Sequence, residues 1–288
     1  MYKRLITIVL VFICHELVYA QQTKIQVPSK MIQVAGKIFF TTSHLQDTVT
    51  GAWMNETAIL YYGQQGSLYR SFDYMTGDAI FKKWRAGGSV GPSPGMGRGT
   101  KDLYYTYPDE KLVQRVRDFI DASSATYMTT YVMPEAIERI NWKILSETKK
   151  IDGYICQKAT GICKGRNYVV WFCPDIPYSF GPWKLNGLPG LIMEAEDIRK
   201  QVLFRFSRIE LQNNQEYITL PTNYVKTTEV DFEKMRQAYY DGLSTSNSGS
   251  LSVSATFRNS QGQVIPPPKR TVINNPMDLI SKLPTLPF

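Results

Sequence analysis

The acidic residues Glu194 and Glu196 lie two positions apart in an apolar run, so an extended strand would project both side chains from one face. Two carboxylates beside a sugar bond can act as the acid and the base or nucleophile of a glycoside hydrolase. The surrounding residues do not alternate cleanly between apolar and polar, and we expect a solvated strand end instead. A carboxylate-based hydrolase that uses these residues or Asp175 is kept as the third of three functional hypotheses.

The segment Gly91-Pro92-Ser93-Pro94-Gly95 satisfies the G-x-S-x-G pattern of a hydrolase nucleophile elbow, in which a strand runs directly into a helix. Proline on both sides of Ser93 opposes the start of a helix there. His44, the one histidine after residue 20, also precedes the serine, whereas that fold places the histidine last. We therefore assign no catalytic residue and expect that the protein is not an enzyme.

Three cysteines follow residue 20, namely Cys156, Cys163 and Cys173. In an oxidising compartment they favour one disulfide and one remaining thiol, with Cys156–Cys163 and Cys156–Cys173 as the candidate pairs. A zinc site needs four ligands at short spacings such as C-x2-C. Here six and nine residues separate successive cysteines, and no histidine is near. We expect neither a metal nor a cofactor.

The amino terminus has the features of a secretory signal peptide. Lys3 and Arg4 precede the apolar run Leu5–Ile13, and Val18-Tyr19-Ala20 provides residues that are tolerated at a cleavage site. We predict that residues 1–20 are removed. The apolar run is much shorter than the ~20 residues that span a bilayer. The sequence thus predicts an exported protein, periplasmic, outer-membrane associated or extracellular, that is not an integral membrane protein.

The chain is basic, with 33 Lys and Arg against 25 Asp and Glu and a formal net charge of +8. Basic side chains bind nucleic acid or anionic surfaces when they cluster. Here they are scattered, and no run of five like charges occurs. We interpret the charge as a solvated basic surface and expect no nucleic-acid partner.

Short aromatic and β-branched runs alternate with turn residues after residue 20, which is typical of an antiparallel all-β domain. We predict a mainly β fold, with an antiparallel curved sheet of half-barrel or sandwich type and one or two helices. The run Leu112–Ile120 fits a helix or a strand, and we assign it to a strand. The other predicted strands are Gln33–Thr42, Ala58–Gly63, Asp102–Tyr107, Ala125–Tyr131, Trp142–Thr148, Tyr154–Ala159, Tyr168–Cys173, Leu191–Asp197 and Val202–Leu211.

One helix is predicted after Thr228, which can cap it together with Asp231 three residues on. Phe232, Met235 and Tyr239 recur at helical spacing, and we interpret them as a packing face.

The domain prediction follows from composition. Residues 21–243 are expected to form one β-rich domain, and residues 244–288 a flexible Ser/Pro-rich carboxyl-terminal segment with a short helix over Met277–Lys282. The glycine-rich stretch Gly87–Gly99 predicts a long surface loop.

The most specific pattern lies between Trp142 and Ile192 and ends in the hexapeptide Gly187-Leu188-Pro189-Gly190-Leu191-Ile192. This block closely resembles the GLPGLI family of secreted bacterial proteins, which is named after the hexapeptide. The other motifs of the block are Trp142-Lys143-Ile144, Glu147–Tyr154, Cys156–Ala159, Gly165-Arg166, Tyr168–Phe172, Pro174–Pro177 and Gly181-Pro182.

The block is predicted to contain a hairpin and two tight turns. Tyr154–Ala159 and Tyr168–Cys173 would pair across a turn that contains Gly161 and Gly165.

In the hexapeptide, Leu188-Pro189-Gly190 suits a type II turn in which Gly190 supplies the positive φ, and Gly181-Pro182 predicts an earlier corner. We favour this structural role for the hexapeptide over a catalytic one.

Aromatic and charged residues bracket the corner where these strands end. We take Arg166, Trp171, Asp175, Trp183 and Lys184 as a candidate lip for a ligand or partner, although Trp171 could equally belong to the core.

The resemblance implies an exported envelope protein associated with TonB-dependent outer-membrane uptake. We therefore expect a non-enzymatic binding or accessory protein whose partner is an outer-membrane transporter or another envelope protein. The W-K-I, G-Y and Y-x-x-W-F motifs are also similar to envelope lipid and lipoprotein carriers, so the second hypothesis is a soluble periplasmic carrier of an apolar small ligand. An accessory protein predicts an exposed aromatic patch, a carrier a closed apolar cavity, and a hydrolase two converging carboxylates.

Overall fold

A computed structural model describes residues 31–86, 99–120, 128–212, 215–245, 273 and 275–279 of the chain. The predicted signal peptide, the Ser93 segment, nearly all of the predicted loop Gly87–Gly99 and most of the predicted carboxyl-terminal segment lie outside these residues.

The described elements are fourteen strands, two α-helices and the short 3-10 helix Pro108–Glu110. The first half of the chain contributes β1 (Met31–Gln33), β2 (Gly36–Asp47), β3 (Ala52–Gly63), β4 (Gly66–Ser71), α1 (Phe72–Ala86), β5 (Leu103–Tyr107), β6 (Leu112–Ile120) and β7 (Met128–Ala136). The second half contributes β8 (Lys143–Ile151), β9 (Tyr154–Cys163), β10 (Arg166–Cys173), β11 (Leu191–Asp197), β12 (Val202–Leu211), β13 (Tyr217–Thr219), β14 (Val225–Lys226) and α2 (Glu229–Thr245).

Twelve strands form one sheet in the order β14-β7-β6-β5-β4-β3-β2-β12-β11-β10-β9-β8. Neighbouring strands are antiparallel, apart from β14, which runs parallel to β7. β1 and β13 pair separately as a small antiparallel ribbon. Because β14 and β8 are the two edges, the sheet is not closed. The predicted mainly β fold, with an antiparallel sheet and one or two helices, is confirmed.

Strand predictions agree with the structure where the alternation is clear. The predicted strands Leu191–Asp197 and Val202–Leu211 coincide with β11 and β12, and Leu112–Ile120 is a strand, β6. No predicted element corresponds to β4, β13, β14 or α1. The start of α1 has a cap, since the Oγ of Ser71 accepts a hydrogen bond from the backbone N–H of Tyr74 at 3.1 Å.

Each face of the central sheet carries its own apolar cluster. In β3, Ala58, Leu60 and Tyr62 belong to the cluster on one face, whereas Ile59 and Tyr61 belong to the cluster on the other. Side chains of a strand point alternately to opposite faces, so this division follows from the apolar run of β3. The sheet is therefore buried on both sides at its centre.

The loop Pro174–Gly190, between β10 and β11, covers one of these faces, which we call the loop face. The Tyr178 ring lies 4.9 Å from the ring of Tyr62 in β3, and the Lys184 Nζ lies 5.7 Å from the ring of Tyr104 in β5. β3 and β5 are four and six positions from β10 in the sheet order, so the sheet curves around the loop. The side chains that fill this space include Ile176, Phe180, Trp183, Leu185 and Leu188, all buried.

The other face is covered by local elements. Ile32 of β1 and Ile218 of β13 pack into its cluster, and the Phe72 ring at the start of α1 lies 5.4 Å from the ring of Phe39. This face belongs to β2–β7, which explains why those strands are apolar on both sides.

Helix α2 begins where the sequence predicts. The Thr228 Oγ1 accepts a hydrogen bond from the backbone N–H of Asp231 at 3.1 Å, and the ring of Phe232 lies 5.2 Å from the ring of Tyr131 in β7. Phe232 is buried and Met235 is half-buried, as expected for a packing face. The side chain of Tyr239 lies outside the described part.

An ion cluster joins α2 to the sheet. The carboxylate of Asp102 is buried and accepts hydrogen bonds from Arg117, with the Nε of Arg115 at 3.2 Å. Arg115 also pairs with Glu229 of α2. Burial alone would raise the pKa of Asp102, but the guanidinium groups of Arg117 and Arg115 hold it well below its usual value.

Candidate functional site

The hairpin of β9 and β10 forms the first part of the candidate site. Its turn consists of Lys164 and Gly165, both with positive φ (48° and 78°), as a two-residue type I′ turn requires. The predicted hairpin is therefore present, but Gly161 lies inside β9 and not in the turn. A Cβ on Gly161 would lie 2.7 Å from the Cε3 of Trp142 and 2.9 Å from the Cγ2 of Ile140, so this glycine makes room for the segment before β8.

The hexapeptide turns differently from the prediction. Gly187 has a positive φ of 90°, and Gly190 does not, so the proposed type II turn is wrong. The backbone N–H of Gly190 instead donates to the carbonyl of Leu188 at 2.8 Å, which closes a three-residue turn around Pro189. Gly190 is required for another reason, because a Cβ there would collide with the carbonyl oxygen of Cys173.

The earlier corner of the loop is present, and it buries its side chains. The backbone N–H of Leu185 donates to the carbonyl of Pro182 at 3.1 Å, with Trp183 in the left-handed region at a φ of 56°. Trp183 and Lys184 are only 3% and 6% exposed. These two residues therefore do not form a surface lip.

Lys184 is the buried member of a group of charges below the loop whose other members are half-buried. Its Nζ pairs with a carboxylate oxygen of Glu135 and lies 3.4 Å from the Oδ2 of Asp278. Lys164 of the hairpin turn contacts the same two acids, at 3.1 Å and 3.9 Å. The two lysines and two acids link the loop, the hairpin, β7 and the carboxyl-terminal residues.

Arg166, at the start of β10, is buried and anchors the segment 275–279. Its guanidinium donates to the Oδ2 of Asp197 at 3.0 Å, to the Oδ1 of Asn275 at 2.6 Å and to the backbone carbonyls of Pro276 and Met277 at 2.7 Å and 3.1 Å. A planar guanidinium with five donors suits such a set of acceptors. Arg166 thus acts inside the protein and not in a surface lip.

Segment 275–279 makes further contacts with the sheet. The Nε2 of His44 is 2.7 Å from the carbonyl oxygen of Asn275, and burial lowers the pKa of this histidine despite that bond. The backbone N–H of Leu279 donates to the carbonyl of Lys164 at 3.0 Å. Residues of this segment thus make hydrogen bonds to the sheet and to the hairpin, and the flexibility of the carboxyl-terminal segment stays a prediction. The helix predicted from Met277 is absent over 277–279.

The remaining two members of the candidate lip lie elsewhere. Trp171 is half-buried, with the Nζ of Lys149 at 4.7 Å and that of Lys158 at 5.9 Å from its ring centre. Asp175 is exposed at the start of the loop. The five predicted lip residues are thus not brought together on one exposed surface.

The paired carboxylates do project from one face of β11, as predicted. Glu194 pairs with Lys149 at 2.6 Å, and Glu196 pairs with Arg205 on the neighbouring strand β12. Arg205 also lies 3.7 Å from Glu194, so both acids are paired with cations in one ladder of ion pairs across the sheet. This arrangement lacks the unlike environments that an acid and a base require.

The three cysteines are buried thiols. Burial raises the pKa of Cys156 to about 12 and also raises the pKa values of Cys163 and Cys173, so all three are un-ionised at neutral pH. Within the described residues, no three His, Cys, Asp or Glu side chains converge as metal ligands.

An open groove of about 650 Å³ lies beside the hairpin, between the segment before β8 and the ends of β9 and β10. The isoleucines Ile162 and Ile198 in its wall are 56% and 62% exposed. The backbone N–H of Ile198 donates to the carbonyl of Asn167 at 2.9 Å, which fixes one isoleucine relative to the hairpin. Its polar rim consists of Glu138, Arg139, Asn141, Lys143, Thr160 and Asn167.

This groove does not follow from any local pattern in the sequence. Ile162 and Ile198 are single apolar residues at strand ends, 36 positions apart, and only the pairing of the strands brings them to one groove. One signal of the groove is present in the sequence. Ile198 directly follows Asp197 in a polar turn, where the neighbouring residues include no apolar side chain that would cover an isoleucine.

A family model described as a protein of unknown function (Porph_ging) matches residues 162–194. These residues run from the end of β9 through the hairpin turn, β10 and the loop to the first residues of β11. No curated protein matches the chain. The match therefore falls on the hairpin and the loop described above.

Solved structures give a more distant likeness. Two structures of PNGF-II are each 14% identical in sequence to this chain, with a TM-score of 0.46. The alignments cover 71% and 72% of this chain and 33% of the PNGF-II chains, so this chain spans about a third of their length.

Among the described helices, none combines the length and apolarity that crossing a membrane requires.

Proposed function

We propose that this protein is an exported, non-enzymatic binding or accessory protein of the bacterial cell envelope, and that the groove beside the hairpin binds its partner. The observation that carries this proposal is the exposure of two isoleucines in one groove. Exposed apolar side chains in a concave surface with a polar rim are typical of a protein contact.

The composition of the groove favours a protein segment as the occupant. Ile162 and Ile198 offer a small apolar patch in the wall of the groove, which one aliphatic or aromatic side chain of a partner would cover. Glu138 is engaged by the hairpin, because its Oε2 accepts a hydrogen bond from the backbone N–H of Lys164 at 2.8 Å. Arg139 and Lys143 then leave the rim basic. We infer that the partner segment carries an apolar side chain flanked by acidic residues.

Family membership and location belong to the same proposal. The hexapeptide and the motifs before it support assignment to the GLPGLI family, and the amino-terminal pattern supports export. Together they support an outer-membrane transporter of a TonB-dependent uptake system as the partner. We do not favour a carrier of apolar ligands, because loop side chains occupy the space inside the curved sheet.

The proposal is tested by site-specific photo-crosslinking in intact cell envelopes. A photoreactive amino acid is placed at Ile162 in one variant and at Leu211 in a control. Leu211 is 62% exposed and lies at the far end of β12 from the groove, ~30 Å along the strand. We expect the Ile162 probe to capture an outer-membrane transporter that the Leu211 probe does not capture.

A substitution inside the groove tests whether capture depends on this site. Ile198→Asp should reduce capture from position 162 at least tenfold, because it puts a charge into the apolar patch. Leu211→Asp, at an equally exposed residue, should leave capture unchanged. Equal capture by both probes, or no effect of Ile198→Asp, would contradict the proposed binding site.

A further inference from the structure

Cys156 and Cys173 face each other across the hairpin. The register of β9 and β10 pairs Arg166 with Cys163 and continues without a break to Phe172 and Gln157. One more step in the same register places Cys173 opposite Cys156. The two thiols are in hydrogen-bonding contact, and both residues are fully buried.

The position along the ladder suits a covalent bond. In a hairpin with a two-residue turn, the pair next to the turn is hydrogen-bonded, and the two kinds of pair then alternate. Cys156 lies seven residues from Cys163, so its pair with Cys173 is a non-hydrogen-bonded one. Such pairs have Cα atoms about 4.5 Å apart, within the 4.4–6.8 Å that disulfides span.

The same geometry excludes the alternative pairings. Cys156 and Cys163 lie on one strand, seven residues apart, which corresponds to roughly 23 Å. Cys163 is opposite Arg166 and therefore a similar distance from Cys173. Neither pair could be joined without unfolding the hairpin.

We propose that Cys156 and Cys173 form a disulfide in the exported protein and that Cys163 remains a free thiol. The oxidant is a disulfide compound, such as oxidised glutathione or a disulfide oxidoreductase. The S–S bond of the oxidant breaks and the Cys156–Cys173 S–S bond forms. The two cysteine thiols lose two protons and two electrons, and the oxidant takes them up and becomes two thiols. The reaction depends on export only because the oxidising compartment outside the cytoplasm supplies the oxidant.

The crosslink would fasten the base of the loop Pro174–Gly190. Cys173 is the residue before the loop, and the end of the loop at Gly190 rests on the Cys173 carbonyl. Both thiols are buried in the folded chain, so the disulfide forms during folding, before β9 and β10 are covered. The proposed bond thus makes the hairpin and the loop one covalently closed unit.

Peptide mapping of the protein without residues 1–20, in which Cys156, Cys163 and Cys173 are the cysteines, tests the pairing directly. The protein is folded with oxidised glutathione, its free thiols are blocked, and it is digested with trypsin without reduction. Cleavage after Lys150, Lys158, Lys164, Arg166 and Lys184 puts each cysteine on its own peptide, 151–158, 159–164 or 167–184.

We expect peptide 151–158 to be linked to peptide 167–184, with a mass two hydrogens below the sum of the two peptide masses. Peptide 159–164 should carry a blocked thiol. A link that involves 159–164, or three blocked thiols, would overturn the proposal.

Thermal unfolding gives an independent measurement. A non-denaturing reductant should lower the Tm of the oxidised protein by roughly 5–10 °C. Cys163→Ser should keep both the linked peptides and this shift, whereas Cys173→Ser should lose both. If Cys173→Ser does not fold, the peptide map of the unchanged protein still decides the pairing. A Tm that reduction leaves unchanged would contradict the proposed bond.

Discussion

Gly190 lies directly against the carbonyl oxygen of Cys173, with no room for a Cβ between them. This contact joins the end of the hexapeptide turn to the end of β10. We expect Gly190→Ala to lower the free energy of unfolding by about 2–3 kcal/mol, because either backbone segment must move. Urea unfolding of the purified protein measures the change.

Gly187→Ala is the matched control within the same hexapeptide. A Cβ on Gly187 would have only the Nε1 of Trp142 nearby, at 3.8 Å, but the residue has a positive φ. We expect a smaller cost of about 1 kcal/mol, from backbone conformation alone. A cost at Gly187 that equals or exceeds the cost at Gly190 would show that steric contact is not the dominant effect.

Arg166 should be the main attachment of segment 275–279. Replacing it with alanine removes three hydrogen bonds to that segment and leaves the buried carboxylate of Asp197 without its cation. We expect Arg166→Ala to cost about 3–5 kcal/mol. Hydrogen exchange at residues 275–279 should also rise by at least an order of magnitude.

Two variants separate attachment from general instability. Asn275→Ala keeps the pair of Arg166 with Asp197, so it should raise exchange in the segment at a cost of only about 1–2 kcal/mol. Lys234→Ala, in an exposed pair with Asp231, should cost less than about 0.5 kcal/mol and leave exchange unchanged. Unaltered exchange in Arg166→Ala would refute the anchoring role.

Asp102 should make the free energy of unfolding depend on pH in the acidic range. Its pKa in the folded protein lies below the value in the unfolded chain, because Arg117 and Arg115 outweigh the effect of burial. The unfolded chain therefore binds the proton first, and this contribution is complete above about pH 5 and falls as the pH drops below the unfolded pKa. The loss should reach about 1.4 kcal/mol per pH unit below that value.

Asp102→Asn provides the comparison. At pH 7 we expect it to be less stable by about 3–5 kcal/mol, since Arg115 and Arg117 lose their shared carboxylate. The difference from the unsubstituted protein should narrow between pH 4 and about pH 2.5, measured by urea unfolding at each pH. A difference that stays constant over this range would mean that Asp102 is not the titrating group.

The cap of α2 offers a local test of the sequence pattern. Thr228→Ala removes the acceptor for the backbone N–H of Asp231 and should cost about 1 kcal/mol. Thr228→Ser keeps the hydroxyl and should cost much less. Thermal unfolding followed by circular dichroism measures both variants, and equal losses for alanine and serine would argue against a capping role.

Local sequence patterns are enough to predict the class of fold and the ends of several elements. Strands β11 and β12 coincide with their predictions, and the Thr228 cap marks the start of α2. These features follow from interactions within a few residues, such as turn chemistry and the alternation of side chains. The missed helix α1 begins at a cap, Ser71, which was too short a signal by itself.

Contacts between residues that are far apart in the chain depend on the assembled sheet. Arg166 contacts Asn275, 109 positions later, and the exposed isoleucines Ile162 and Ile198 share a groove through strand pairing. The sequence could not tell that Trp183 and Lys184 are buried, because the strands that cover them lie far away in the chain.

The cysteine pairing shows the same division. The sequence left two pairs open, and the register of β9 and β10 selects one of them. A register is a relation between strands, fixed by the turn and by the sum of contacts across the sheet. Local patterns therefore specify the strands, whereas the closed network of long-range contacts specifies the sites.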